Sequence, residues 1–190
     1  PRRSPFGRGL GAGMWSIADK RVVITGGNSG IGFETARELT RRGAALTLVV
    51  RNRERGEAAV EAIAAEYGKR PDLVIGDLAE PDSLARVAAE LLERYSRIDV
   101  LINNAGGYFA ERRESSDGLE YTFALNQMSY FRLTMLLLDR IKASAPARIV
   151  NVASAAHMRA RLDFSDLQSR RRYRGFMVYS RSKLANIYFT

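Results

Sequence analysis

"VVITGGNSGIG", residues 22–32, opens on three apolar residues and a threonine, turns through glycines, and runs directly into the amphipathic stretch "FETARELTRRG". A short run that is apolar without alternation reads as a strand buried on both faces. Apolar residues recurring every three to four positions read as a helix. Strand, glycine turn and helix in immediate succession make the first half of a βαβ unit, and that unit sets the reading of the rest of the chain.

The same alternation continues. Further apolar runs are "ALTLVV" (45–50), "LVIGD" (73–77), "VLIN" (100–103) and "RIVNVAS" (148–154). Between them lie "RERGEAAVEAIAAEYG", "PDSLARVAAELLERY" and the long "GLEYTFALNQMSYFRLTMLLLDRIKAS", each with helical spacing. Gly43 and Gly68 stand where helix C-termini need a left-handed residue, and Pro81 with Asp82 marks a helix start. The expected fold is α/β, a Rossmann-type doubly wound parallel sheet of about five strands, each buried on both faces. Residues 14–190 are expected to form one dinucleotide-binding domain, preceded by a disordered basic tail over 1–13 and a natural start at Met14.

Composition narrows the function classes. The chain has 190 residues, 46% of them hydrophobic, which suits a folded domain rather than a disordered one. It has no cysteine and a single histidine, His157, so neither a disulfide framework nor a zinc cluster is expected. The apolar cluster "LTMLLLDRI" is broken by Asp139 and Arg140, short of the roughly 18 residues a membrane span requires. A soluble, cytoplasmic protein is therefore expected. Of the net charge of +9, Arg2, Arg3 and Arg8 lie in the tail, and six arginines against two aspartates crowd Arg159–Arg174. No basic helical stripe or aromatic platform accompanies them, so no nucleic acid is expected as a partner. That segment reads as a solvated loop, with steering of an anionic ligand as the sharper alternative.

The glycine turn carries the first chemical signal. Gly26, Gly30 and Gly32 are spaced G-x-x-x-G-x-G, with Asn28, Ser29 and Ile31 between them. Such a turn lets a pyrophosphate approach the backbone and meet the amides of the following helix. Glycines also serve ordinary turns, but a position after a strand, before a helix and inside the first βαβ unit points to a dinucleotide. NAD sites usually carry an acidic residue about 20 positions later. Arg51 stands nineteen residues after Gly32, and the nearest acid is Glu54. A guanidinium there matches a 2′-phosphate, so NADP is expected over NAD.

A second signal lies near the end, in "YSRSKLAN", residues 179–186. Tyr179 and Lys183 are four apart and share one helix face. Bringing a tyrosine from a pKa of about 10 to neutrality takes about 4 kcal/mol. One ammonium at about 5 Å and an effective dielectric of 20 supplies about 3 kcal/mol of it. Ser154 closes "RIVNVAS" at the carboxyl edge of the sheet, where a hydroxyl can hydrogen-bond a carbonyl oxygen while the phenol moves a proton.

Together these motifs resemble the short-chain dehydrogenase/reductase family, over residues from about 20 to the end. "TGGNSGIG" is similar to the family's cofactor loop, Asp77 and Leu78 to its adenine-side contact, and "NNAG" to its strand-four motif, in which Asn104, Ala105 and Gly106 border the nucleotide. Asn126 in "FALNQMSYF" matches the helix asparagine of the family's catalytic tetrad, completed by Ser154, Tyr179 and Lys183. The resemblance implies that Tyr179 is the general acid or base, that Ser154 positions the substrate oxygen, and that Lys183 lowers the tyrosine pKa and holds the nicotinamide ribose. Asn126 would support a water-mediated proton relay to Lys183. Alone, a helix asparagine would read as a local bender of its helix.

"NVASAAH", "LDFSDLQSRRRY" and "YSRSKLAN" resemble the retinol dehydrogenase-like branch, which acts on lipophilic aldehydes, ketones and alcohols. His157 belongs to that signature and reads as a structural hydrogen-bonding group, since tyrosine fills the acid–base role. "NQMSYF" departs from the branch: it lacks the histidine and glycine usual just after the tetrad asparagine, with Ser129 and Tyr130 in that neighbourhood, and altered packing of this helix is expected. The expected protein is an NADP-dependent carbonyl reductase or alcohol dehydrogenase with a small-molecule partner, self-associating through the long apolar helix. A dinucleotide-binding regulatory protein without chemistry is the competing reading, against which the intact Ser154, Tyr179 and Lys183 stand. An isomerase or dehydratase is disfavoured by the glycine spacing. Family members continue beyond the position of Thr190 with two further strands and a substrate loop, so a C-terminally incomplete chain is expected. These residues on their own are expected to be poorly stable and to turn over little, with the sheet edge and nicotinamide pocket open.

Overall fold

A computed structural model describes residues 15–190, and the expected tail and the start at Met14 lie outside the described residues. Five parallel strands, β1 (Arg21–Thr25), β2 (Ala45–Val50), β3 (Asp72–Ile75), β4 (Val100–Asn103) and β5 (Arg148–Asn151), form one sheet in the order β3-β2-β1-β4-β5. Helices α1 (Gly30–Arg41), α2 (Arg53–Tyr67) and α3 (Pro81–Arg94) connect the first four strands. The chain moves outward from β1 to β3, then returns to place β4 on the other side of β1. This reversal opens a crevice beyond the carboxyl ends of β1 and β4.

Alternation along the strands divides the core into two layers. Val22 and Ile24, with Leu48 and Ile102, pack under Ala36 of α1 and Ile63 of α2. Val23, Val49 and Leu101 point the other way, onto Leu84, Val87 and Leu91 of α3 and onto Leu133 and Leu137 of the long helix that follows β4. Burying each such side chain contributes about 1.5–3 kcal/mol. The expected punctuation is present: Gly68 ends α2 at φ 66°, Pro81 occupies the first turn of α3, and Gly43, at φ 92°, lies just beyond the end of α1.

Four expectations need correction. The third strand stops at Ile75, leaving Gly76 and Asp77 in the loop that borders the crevice. The fifth stops at Asn151 instead of reaching Ser154, because Val152 turns its carbonyl to Lys183 Nζ and Asn186 Nδ2. β5 is also not buried on both faces: it pairs only with β4, and Val150 is 44% exposed. The long helix begins at Tyr121, where the Glu120 carboxylate accepts from the amides of Thr122 and Phe123. It then runs as α4 (Tyr121–Phe123), a π turn (Ala124–Met128) and α5 (Ser129–Ala143), not as one uninterrupted α-helix. A 3₁₀ turn (Ala155–Arg159) and helix α6 (Gly175–Phe189) complete the described chain. Among the described residues no helix is long and apolar enough to cross a membrane, and no group of side chains could hold a metal.

Candidate active site

The crevice is a cleft of ≈ 490 Å³. Its floor is the glycine turn, contributing Gly26, Asn28, Ser29, Ile31 and Gly32; Arg51, Asp77 and Leu78 form one wall, and Asn104, Ala105 and Gly106 the other. Side chains are excluded here by contact. A Cβ on Gly32 would meet Gly26 O at 2.3 Å and Asn104 Nδ2 at 2.4 Å. Asn104 Nδ2 donates to Thr25 O and Gly26 O, so the strand-four motif holds the glycine turn in shape. Gly30 has a different part: it opens α1 at φ 52° and does not line the cleft. A turn kept this close by backbone contacts fits the phosphates of a dinucleotide.

At the other end of this wall, Arg51 is held by two side chains. Its Nη1 donates to Tyr121 Oη at 3.1 Å and lies 3.5 Å from Asp77 Oδ2, while Tyr121 Oη donates to Asp77 Oδ2 at 2.9 Å. Burial, and then Asp77, push the Tyr121 phenol above its ordinary pKa, so it stays a neutral donor in this triad. The Arg51 side chain is 64% exposed, which leaves it accessible to an anion from the cleft. Arg55 lines the same end from the first turn of α2, where the Asn52 side chain caps its amide.

The four residues of the reactive constellation come from three segments. Asn126 sits in the π turn, fully buried; its Oδ1 accepts from Gly107 N at 2.8 Å, and its Nδ2 donates to Gly107 O at 3.0 Å and Ser182 Oγ at 2.9 Å. Ser182 Oγ donates in turn to Tyr179 O, so the asparagine clamps the loop after β4 to α6. Lys183 is 4% exposed and donates to Val152 O at 2.9 Å. Its Nζ lies 6.0 Å from the centre of the Tyr179 ring and would be 3.4 Å from a Cβ on Gly106, which lines the cleft. Tyr179 and Lys183 thus share helix α6, as their spacing predicted, and neither lines the cleft itself. Burial lowers the Lys183 pKa to about 8, so the group is still mostly charged at neutral pH.

Ser154 caps the 3₁₀ turn, its Oγ accepting from Ala156 N. His157 Nδ1 lies 2.6 Å from Ser154 O, the structural tie expected of it. In the arginine-rich loop Arg171 pairs with Asp166 and reaches Ser165, in keeping with a solvated segment that organises itself.

Sequence reasoning missed Arg55, Tyr121 and Ser182. The first turn of a helix bordering the expected phosphate site pointed to Arg55. Tyr121 and Ser182 gave no signal, since their partners are 44 and 56 positions away.

A model of the short chain dehydrogenase family matches residues 20–190. Retinol dehydrogenase 12 of Mus musculus is 42% identical over 189 residues, which cover 99% of this chain and 60% of that protein. An uncharacterized protein from Mycobacterium Paratuberculosis, 41% identical, superposes with a TM-score of 0.80 over 92% of this chain and 61% of its own. L-Sorbose reductase from Gluconobacter frateurii, solved in complex with NADPH and L-sorbose, is 26% identical, with a TM-score of 0.74 over 92% of this chain and 62% of its own. The chain therefore spans about 60% of the length of these relatives.

Proposed function

Because the chain belongs to the short-chain dehydrogenase family, in its retinol dehydrogenase-like branch, we propose that it is the dinucleotide-binding and catalytic part of an NADP(H)-dependent carbonyl reductase or alcohol dehydrogenase. The observation that carries this reading is the buried Lys183 ammonium, set beside Tyr179 and against Gly106 of the cleft wall. The nicotinamide nucleotide, when bound, supplies or accepts the hydride. Tyr179 Oη gives or takes the proton at the substrate oxygen, and Ser154 Oγ hydrogen-bonds that oxygen. Lys183 favours the tyrosinate and holds the ribose hydroxyls, while Asn126 fixes the loop that carries Gly106 and Gly107.

NADP is favoured by Arg51 and Arg55 at the far end of the cleft, where a 2′-phosphate finds two guanidinium groups and one carboxylate, Asp77, already engaged by Tyr121. A lipophilic substrate is favoured by the retinol dehydrogenase relatives. Self-association is proposed through α5, which leaves Phe131, Met135 and Leu136 exposed.

The experiment is reduction of a panel of aldehydes, ketones and quinones by the full-length protein with NADPH and with NADH. Turnover with NADPH at least tenfold more efficient is expected, and Arg51→Glu reverses the preference. Cofactor binding with every carbonyl left unreduced sinks the catalytic reading in favour of a dinucleotide-dependent regulatory protein.

A further inference from the structure

Tyr130 lies four residues after Asn126, in the first turn of α5, and is 1% exposed. A tyrosine buried this deeply usually finds a partner for its hydroxyl. Among the described residues the one it finds is the ammonium of Lys183: Oη lies 3.5 Å from Nζ, and Nζ lies 5.3 Å from the centre of the Tyr130 ring, nearer than the 6.0 Å to the Tyr179 ring. The segment that departs from the branch pattern thus places Tyr130 against Lys183.

We propose that Tyr130 is a positioning residue for Lys183, its phenol oxygen and ring holding the ammonium at the end of the cleft, between Tyr130 and Tyr179. The proposal rests on the reading of Tyr179 and Lys183 as the proton-handling pair. A buried ammonium has three donors to satisfy. One goes to Val152 O at 2.9 Å. The second meets Tyr130 Oη, whose ring adds a cation–π attraction. The third is left for the direction of Gly106 and the ribose site. The titratable groups that face Nζ are Tyr130 from α5 and Tyr179 from its own helix; Val152 after β5 presents a carbonyl, and the π turn presents the neutral Asn126 beside Gly106. Among the described residues no carboxylate pairs with Lys183, so the phenol oxygen is its nearest side-chain acceptor. Burial pushes the Tyr130 hydroxyl well above the ordinary tyrosine range, which keeps it neutral and leaves proton transfer to Tyr179.

The test is the titration of Lys183 itself, followed by NMR of ε-¹³C-lysine in the full-length protein. In this sequence only Lys20, Lys69, Lys142 and Lys183 carry the label, and the Lys183 signal is assigned by its loss in Lys183→Arg. Tyr130→Phe keeps the ring and removes the oxygen, so the Lys183 midpoint falls by about half a unit to one unit. Tyr130→Leu removes the ring as well and lowers it further. The alkaline limb of the kcat–pH profile, set by loss of the lysine charge, moves to lower pH by the same amount. A Lys183 midpoint unchanged in either variant, with the fold verified by circular dichroism, overturns the proposal. Full carbonyl reduction by Tyr179→Phe would instead overturn the reading of the reaction, and the lysine titration would still report on Tyr130.

Discussion

The two ends of the cleft are made of different material. At the dinucleotide end the surface is backbone: Gly26 and Gly32 are small because Ala105, Asn104 and the turn itself occupy the space a side chain would need. At the proposed reaction end it is side chain: Asn126 bonds Ser182 of α6 and Lys183 bonds the Val152 carbonyl, contacts between segments far apart in sequence. A backbone site is damaged by adding atoms, and a side-chain site by removing them. The two should therefore fail independently, one in binding and the other in turnover.

Tyr179→Phe is the severest test of that division. Loss of the phenol oxygen removes the group proposed to move the proton and leaves the glycine turn and Arg51 as they are. Loss of general acid–base catalysis is worth about 10²–10⁴-fold in kcat, with NADPH affinity within about twofold of the unsubstituted protein by fluorescence titration. A parallel collapse of affinity would mean that the ends are not separable.

Gly32→Ala attacks from the other side with a single methyl. Its Cβ would stand 2.3 Å from a main-chain oxygen, which cannot swing aside as a flexible side chain can. Overpacking of this kind costs about 1–3 kcal/mol. NADPH affinity should fall about tenfold or more, while kcat at saturating cofactor changes little. Unaltered affinity would show that the turn yields more easily than its contacts indicate.

The same contrast explains what could be read from the sequence. The backbone end was legible because strand, glycine spacing and helix are consecutive, and each constrains the next. Tyr179 and Lys183 were legible for a similar reason, being one turn apart on one helix. What could not be read was tertiary. The engagement of Arg51 by Tyr121 depends on how the start of the long helix meets the end of β2. The interruption of that helix at Asn126 follows from an amide that bonds both backbone groups of Gly107, nineteen positions away. No periodicity announces such a contact, and the apolar pattern of the segment runs through it undisturbed. Strand five misled for the opposite reason: "RIVNVAS" has a buried strand's composition, yet the strand ends at Asn151, and Val152, its amide still bonded to Asn103 O, turns its carbonyl to Lys183.

Ser182→Ala gives the smallest effect and the finest test of the comparison. The Ser182 hydroxyl is fully buried; it accepts from Asn126 Nδ2 at 2.9 Å and donates to Tyr179 O at 2.7 Å, joining the π turn to the turn of α6 that bears the tyrosine. Alanine breaks both contacts without emptying much volume. One net hydrogen bond is worth about 0.5–1.5 kcal/mol, which for a chain of this size lowers the melting temperature by about 2–4 °C. Asn126 keeps its two bonds to Gly107, so the loop that closes the cleft stays in place and NADPH affinity should hold. What loosens is the placement of the tyrosine relative to that loop. A fall in kcat of about threefold to tenfold is expected from misplacement of a catalytic group on this scale. If affinity falls and kcat does not, Asn126 acts through Ser182 on the dinucleotide end, and the boundary between the two ends lies nearer α6 than the hydrogen bonds place it.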